Sequence, residues 1–229
     1  MSLLVDALTL VATLDGEVWQ VTAVSLQVSF VALALALALA VPAGYALAGA
    51  RSGVAQAASG VLHALAALPT VVVGLTLYFA LSASGPLGWM DLLYTKAAMV
   101  AGQTILAFPI LAALTLGAVR RLPPSARETV QTMGIRGVAR MRVVLNEVRP
   151  ALVSAALIAF ARVFTELGAA VILGGNIRHH TRTLTTVIAL EHTRGDDARA
   201  LAMGLVLLGI ALAVNAVVHG AAALRGDGE

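Results

Sequence analysis

The chain of 229 residues is 59% hydrophobic and 12% charged, with a formal net charge of +3. Because a soluble domain carries charge on about a quarter of its residues, so few charged side chains exclude an ordinary water-soluble fold and predict an integral membrane protein. With no cysteine in the sequence, disulfides, thiol nucleophiles and cysteine metal sites are excluded as well.

The N-terminal segment is apolar but short. Residues 3–14 span only twelve positions, whereas a membrane-crossing helix needs about 20. A cleaved signal peptide would begin with basic residues; this segment carries none, and Asp6, Asp15 and Glu17 lie within or beside it. We therefore expect residues 1–18 to form an interfacial helix that lies on the membrane, with a sixth, short crossing as the alternative.

Five further stretches are long and apolar enough to cross the membrane as helices. The first contains an alternating Leu-Ala run with the period of a β-strand, but both residue types are apolar and both favour a helix. An isolated strand in lipid would also leave its backbone groups unpaired. The predicted spans are residues 21–50, 60–81, 97–119, 151–174 and 200–224. The sequence thus predicts an all-α, polytopic membrane helix bundle that forms a single domain over residues 1–229.

Three prolines lie inside or near the ends of the first three predicted spans, at Pro42, Pro69 and Pro109. Each lacks a backbone N–H and tends to kink its helix. The kinks either shape the packing between helices or leave room for a pathway between them, and the sequence leaves both interpretations open.

Lysine and arginine are unevenly distributed between the connections. Nine of the fifteen are Arg51 in the connection after the first span, seven arginines in residues 120–150, and Arg225 at the C-terminus. Five lie in the other connections, and Arg162 lies within a span. Cytoplasmic loops carry the excess of these residues. We therefore expect residues 120–150 to be cytoplasmic and residues 175–199 to form an extracytoplasmic loop, with the N-terminus outside and the C-terminus inside.

The basic segment 120–150 lies between the third and fourth predicted spans. Ser125 and Glu128 predict a capping box at the start of a short helix, and Gly134 and Gly137 predict a turn before a second, amphipathic helix. Such a segment either binds anionic lipid head groups or docks on a cytoplasmic partner through its apolar side chains.

Three stretches resemble a known family. The run ETVQTMG, Glu128 to Gly134, resembles the E-A-A-x-x-x-G loop of ABC importer permeases, with Thr129 and Val130 in place of the two alanines. Two longer stretches resemble the tungstate/molybdate-type permeases of that superfamily, and most resemble its tungstate branch. They are ALPTVVVGLTLYFALSASGPLG (67–88) and FARVFTELGAAVILGGNIRHHTRTLTTVIALE (160–191). The resemblance covers most of residues 20–220.

The resemblance implies the ABC importer permease fold and a set of partners in a prokaryotic cytoplasmic (inner) membrane. These are a second copy of this chain in a homodimer, two cytoplasmic ABC ATPase subunits and an extracytoplasmic oxyanion-binding protein, with no nucleic acid. The residues expected to couple to the ATPase are Arg127, Glu128, Thr129, Met133, Gly134, Ile135, Arg136 and Arg140.

The chain carries no P-loop of its own. That motif needs glycines before a lysine that holds the phosphates, and the only lysine, Lys96, has no glycine ahead of it in its local run LLYTKAAMV. We therefore expect ATP and Mg²⁺ on the partner ATPase, and no cofactor, metal or catalytic residue in this chain.

Arg162 and Glu166 lie four residues apart within the fourth predicted span, and so on one helical face. Ionised groups at membrane depth are costly unless they are paired. The pair either locks the span against its neighbours or borders the translocation path. The residues expected at a gate or pathway are Arg162, Glu166, Asn176, Thr183 and Thr186.

The run GGNIRHHTRT, residues 174–183, follows on the predicted outer side and is basic. Its cations and hydroxyls suit a tetrahedral oxyanion, or a solvated loop that docks the binding protein. Two adjacent histidines without a third partner make a poor metal site. The residues expected to dock the binding protein are Arg178, His179, His180 and Arg182.

The resemblance implies the transmembrane subunit of an ATP-driven importer for a tetrahedral oxyanion, most of all tungstate, working by alternating access. A stand-alone channel or secondary carrier for an anion is the alternative function, and molybdate or sulfate the alternative substrate. An intramembrane enzyme is disfavoured, because the sequence has neither a nucleophile–base set nor a metal motif such as H-E-x-x-H at membrane depth.

Overall fold

Helices dominate the computed structural model, which describes residues 2–13, 16–132 and 134–226. The side chains of Ser2, Arg127, Val130, Gln131 and residues 217–226 lie outside the description. The helices are α1 (Ser2–Ala12), α2 (Gly16–Ala48), α3 (Ser52–Ala66), α4 (Thr70–Leu81), α5 (Lys96–Arg120), α6 (Pro124–Thr132), α7 (Gly137–Glu147), α8 (Arg149–Phe164), α9 (Gly168–Gly174), α10 (Leu184–Thr193) and α11 (Asp197–Gly226), with a short 3₁₀ turn at Gly88–Met90.

Among the residues that the structure describes, three helices, α2, α5 and α11, are long and apolar enough to cross a membrane. Two bent pairs, α3 with α4 and α7 with α8, raise the number to five if each pair counts as one span. The predicted all-α, polytopic bundle is confirmed, and the five apolar regions expected from the sequence all contain helix.

The second and fourth predicted spans are broken rather than continuous. In 60–81, α3 and α4 meet at an angle of 87°, with Pro69 at the start of α4. Proline cannot continue a helix ladder and pushes the residue before it away from helical geometry. In 151–174 the helix ends at Phe164 and resumes at Gly168. By contrast, Pro42 and Pro109 lie inside the unbroken helices α2 and α5.

Alanine forms much of the core between α2, α5 and α8. Ala36, Ala40, Ala107 and Ala159 are fully buried together, because small side chains let membrane helices approach closely. At Gly44 an added Cβ would lie 2.6 Å from the carbonyl oxygen of Ala112. The α2–α5 pair is therefore the tightly packed centre around which the bent pairs are arranged.

The N-terminal helix α1 packs on α11 through a narrow contact. Ala7 is buried, whereas Leu3, Leu4 and Leu8 are exposed. The short helix expected from the sequence is present, and Leu14 and Asp15 lie outside the described residues. Its position at the membrane interface stays a prediction.

Candidate functional site

The basic segment folds as two helices joined by a glycine turn. Gly134 and Gly137 have φ of +65° and +60°, a left-handed conformation that favours glycine. Among the described residues, a Cβ added at either position would meet no atom within 4 Å. Glycine is therefore required here by the backbone rather than by crowding, and the turn is open to a partner. We call residues 124–147 the docking segment.

The residues expected to couple to an ATPase are spread over this docking segment. Glu128, Thr129, Gly134 and Arg136 are exposed and Ile135 is half-buried. Met133 and the side chain of Arg127 lie outside the description. Arg140 differs from the rest, because it lines a cavity between the docking segment and the helix bundle.

The capping box expected at Ser125 is wrong. Helix α6 begins at Pro124, so Ser125 lies within the helix, and its carbonyl oxygen accepts a hydrogen bond from the Thr129 hydroxyl at 2.9 Å. Proline suits the first helical position because the N–H that it lacks would have no partner there.

Arg162 and Glu166 form the predicted ion pair at the break between α8 and α9. The distance from Arg162 Nη1 to Glu166 Oε2 is 2.6 Å, with side chains 36% and 2% exposed. The other carboxylate oxygen, Oε1, accepts the backbone N–H of Ala169 at 3.0 Å. Glu166 therefore both balances Arg162 and satisfies a backbone donor at the start of α9.

The two helix breaks touch each other. A Cβ added at Gly168, the first residue of α9, would lie 2.9 Å from both Thr70 Oγ1 and Val71 Cγ2 at the start of α4. Glycine at this position thus permits the close approach of the starts of α4 and α9. Non-helical backbone at membrane depth is tolerated only inside protein or beside a water-filled cavity. Glu166 is buried at its break, whereas residues 67–69 at the other break are exposed in the single chain.

The threonines expected at a gate are buried in a hydrogen-bond network. Thr183 and Thr186 form a reciprocal capping box at the start of α10, and Thr185 donates its hydroxyl to the carbonyl oxygen of Glu166 at 2.9 Å. Asn176 has a φ of +50°, and within the described part of the chain its buried Oδ1 has no hydrogen-bond partner. Through these hydrogen bonds the start of α10 is attached to the break between α8 and α9, at the carbonyl of Glu166.

The basic run at residues 174–183 is partly neutralised by an acid distant in sequence. The carboxylate oxygens of Glu17 lie 3.2 Å from a guanidinium nitrogen of Arg178, 3.0 Å from one of Arg182 and 2.9 Å from one of Arg199. We call these four residues the Glu17 cluster. It joins the start of α2, the loop after α9 and the start of α11. Two of the four residues expected to dock a binding protein therefore also hold these elements together.

Of the two histidines in the same run, one has a partner on α2 and the other is exposed. His179 Nδ1 lies 2.5 Å from Gln20 Oε1, whereas His180 is exposed. Sequence reasoning missed Gln20, Glu17 and Arg199 as partners. The pairing residues are separated by 159 to 182 positions, so no local pattern could have joined them; the acid at the start of an apolar span was the single available signal.

These features define a helical membrane protein with two bent helix pairs and a basic segment of two short helices. Residues 36–224 match the family described as the inner membrane component of binding-protein-dependent transport systems. The chain belongs to this family.

Two relatives and one solved structure agree with that assignment. The tungstate uptake system permease protein TupB of Peptoclostridium acidaminophilum is 36% identical over 93% of each chain. A probable anion ABC transporter permease protein of Haloferax volcanii is 39% identical over 86% of this chain and 87% of its own. A chain of the inward-facing MetNI methionine ABC transporter superposes with a TM-score of 0.66 at 18% identity, covering 89% of this chain and 94% of that one. At that identity the likeness shows the fold alone. The predicted resemblance to ABC importer permeases is confirmed.

Proposed function

We propose that this chain is the transmembrane subunit of an ATP-driven importer for a tetrahedral oxyanion, with tungstate as the favoured cargo. The observation that carries the proposal is the 36% identity to a tungstate uptake permease over 93% of both chains. Permeases named for molybdenum and sulfate transport match less closely. Molybdate and sulfate have the same shape and charge as tungstate and are therefore the competing cargoes.

The partners that we propose are a second copy of this chain, two cytoplasmic ABC ATPase subunits and an extracytoplasmic oxyanion-binding protein. Arg162 supports the second copy. Its side chain is 36% exposed in the single chain, on a helix that belongs to a bent span. An arginine facing hydrocarbon costs at least ~2.5 kcal/mol, so a second copy or a water-filled path covers this face.

The docking segment supports the ATPase partner. Its turn carries open space around Gly134 and Gly137, and two short helices flank the turn. Helix α7 is followed by α8 after Val148 alone, at an angle of 79°. Because a single residue joins the two helices, a movement of the docking segment would be transmitted directly to α8 and to the break at Glu166. Alternating access requires such a transmitted movement of the spanning helices.

The orientation that we propose places the docking segment and the C-terminus in the cytoplasm and the N-terminus outside. The support is the excess of arginine in residues 120–150. The Glu17 cluster and the loop after α9 would then face the binding protein. The outer arginines that remain partly exposed, such as Arg178 at 61%, are available for docking.

The test is a titration of tungstate, molybdate and sulfate against the complete reconstituted complex with its binding protein, reading stimulated ATPase activity and uptake. We expect tungstate to give half-maximal stimulation at the lowest concentration. Half-maximal stimulation at a lower concentration of molybdate or sulfate would reassign the cargo. Uptake by proteoliposomes that contain this chain without any ATPase or ATP would instead establish a stand-alone carrier.

A further inference from the structure

The connection between α4 and α5, residues 82–95, carries a tryptophan that is largely exposed. Trp89 is 78% exposed in the single chain, and the nearby apolar residues Leu87 and Met90 are 39% and 41% exposed. The connection contains no lysine or arginine, and Asp91 is its only charged residue. Exposed apolar side chains that lie together mark a surface that contacts another protein or a membrane. We call residues 85–91 the tryptophan tip.

The tryptophan tip is held by hydrogen bonds to the end of α4. The N–H of Leu87 donates to the carbonyl oxygen of Ala80 at 2.9 Å. A Cβ added at Gly85 would overlap the carbonyl oxygen of Phe79, so this close approach to the last turn of α4 requires glycine. Because its backbone is already fixed, the tip presents Trp89 at a constant height relative to α4 and loses little conformational entropy when it binds.

The two central helices give the height of this connection. Lys96, the first residue of α5, donates to Gln27 Oε1 on α2 at 2.9 Å, and further along both helices Gly44 closely approaches Ala112. Helices α2 and α5 therefore run parallel in a constant register. With 25 residues, α5 is about 37 Å long, so a span across ~30 Å of hydrocarbon ends among the head groups. The connection that leads into Lys96 thus lies at the boundary between hydrocarbon and head groups.

The second of the two tryptophans in the chain, Trp19, lies beyond the start of α5. It is 58% exposed and precedes Gln27 by eight residues in the unbroken helix α2, which is about 12 Å along the helix axis. Its neighbour in sequence, Glu17, contacts three guanidinium groups. The chain therefore carries two exposed tryptophans at different heights, one beside charged groups and the other on a turn without cations.

We propose that the tryptophan tip is a membrane anchor, in which Trp89, with Leu87 and Met90, lies in the lipid interface at the N-terminal end of α5. Tryptophan is enriched at this level because its ring is apolar and its indole N–H can donate to lipid oxygens. The height of the tip favours lipid over a soluble protein partner, which would have to enter the head-group region to reach it. Since the tip offers no cation, it does not select anionic head groups.

The anchor would hold one end of α4. The other end begins at Thr70, which lies against Gly168 at the start of α9. With the tip fixed in the lipid interface, a movement at Gly168 would tilt α4 about its anchored end rather than shift the whole helix. The position of Trp89 in lipid does not depend on the proposed transport function, whereas this consequence does.

The test uses the full chain in phosphatidylcholine nanodiscs and the fluorescence of one tryptophan at a time. Trp19→Phe leaves Trp89 as the emitter, and Trp89→Phe leaves Trp19 as the matched comparison. Bromine on the acyl chains quenches a tryptophan that contacts lipid, whereas iodide quenches one that contacts water. We expect brominated phosphatidylcholine to quench Trp89 severalfold more strongly than Trp19, and iodide to quench Trp19 severalfold more strongly than Trp89.

Three results would overturn the proposal. Quenching of Trp89 by iodide but not by brominated lipid would place the tip in water. Protection of Trp89 from both quenchers would mean that a second copy of the chain or another protein covers it. Equal quenching of the two tryptophans by brominated lipid would contradict the difference in height along α2.

A second arm tests the charge of the lipid. Brominated phosphatidylglycerol and brominated phosphatidylcholine, at the same fraction in the nanodiscs, should quench Trp89 equally, because no cation in the tip favours the anionic head group. Stronger quenching by the phosphatidylglycerol would show a site for an anionic lipid and would contradict an anchor that recognises only the interface. Neither readout involves ATP hydrolysis or uptake, so failure of the proposed cargo would leave this test intact.

Discussion

At the scale of single residues, Glu166 performs two tasks with its two carboxylate oxygens. One oxygen lies 2.6 Å from Arg162 and the other accepts the Ala169 N–H at 3.0 Å. Its backbone carbonyl in turn accepts the hydroxyl of Thr185. One residue therefore links α8, α9 and α10 at a point where the helix is interrupted.

Replacing Glu166 with glutamine should destabilise the chain more than it changes anion affinity. The amide oxygen can still accept from Ala169, but Arg162 loses its counter-ion. Breaking a buried pair costs about 3–5 kcal/mol, and since Arg162 is partly exposed we expect about half of that. The measurement is the melting temperature of the purified chain and its folded yield.

Asp91→Asn is the matched control for this substitution, because it makes the same change from carboxylate to amide at an exposed site. Its melting temperature should stay within a degree or so of the wild type, as is usual for surface changes of about 0.5 kcal/mol or less. A stable Glu166→Gln variant whose complex responds to a different anion would instead make Glu166 part of the translocation path.

At the scale of helices and turns, the docking segment depends on a backbone conformation that few residues adopt. Gly134 has a φ of +65° and no neighbour that a Cβ would strike. A substitution there strains the turn itself and meets no other described part of the chain. The variant therefore isolates the shape of the turn from the packing of the bundle.

We expect Gly134→Val to reduce uptake per ATP hydrolysed severalfold, because a β-branched residue at positive φ would displace the turn. Gly134→Asn should retain most of the coupling, since asparagine tolerates the left-handed region. Both are measured in the reconstituted complex as the ratio of transport to hydrolysis.

Gly195→Val provides the control, since Gly195 has a φ of +80°, also has no atom in the way of a Cβ, and lies between α10 and α11. It carries the same backbone strain at a different turn and should leave the ratio unchanged. If Gly195→Val lowers the ratio as much as Gly134→Val, strain alone accounts for the loss and the docking role is contradicted.

The sequence predicts the helices of the structure, but it predicts only some of the breaks between them. Apolar length and composition located the three long helices α2, α5 and α11, and Gly134 with Gly137 located the turn in the docking segment. The two remaining candidate spans are bent pairs that begin earlier than predicted, at Ser52 and Gly137. Pro69 was visible as a kink, but no local signal marked the interruption at Glu166. That break depends on Thr185, which lies 19 residues further along the chain, and on the close contact of Gly168 with Thr70.

At the scale of the whole molecule, charge is concentrated in two regions with different arrangements. In the docking segment the arginines are numerous and several are exposed. In the Glu17 cluster, Arg178, Arg182 and Arg199 surround one carboxylate. The sequence predicted a basic outer surface from Arg178 to Arg182, but pairing across more than 150 residues could not be read from it, because only the fold brings α2, α11 and the loop together.

Glu17→Gln should loosen the loop after α9. Without the carboxylate, the three arginines repel one another and the loop loses its attachment to α2. Trypsin should then cleave after Arg178, already 61% exposed, severalfold faster, as measured by mass spectrometry of timed digests. Asp6→Asn removes an exposed acid from α1 and should leave the rate unchanged; equal rates in wild type and Glu17→Gln would show that the cluster does not restrain the loop.

The contact between Gly168 and Thr70 has a mechanical consequence. Because the first residues of α4 and α9 are in contact, we expect a movement of one interrupted region to displace the other. A movement of α7 and α8 could then displace α4 through this contact, although no continuous helix joins α8 to α4. Because a methyl group at Gly168 would lie 2.9 Å from both Thr70 Oγ1 and Val71 Cγ2, we expect Gly168→Ala to push the two helix starts apart and so to weaken the transmission of a movement from α8 to α4.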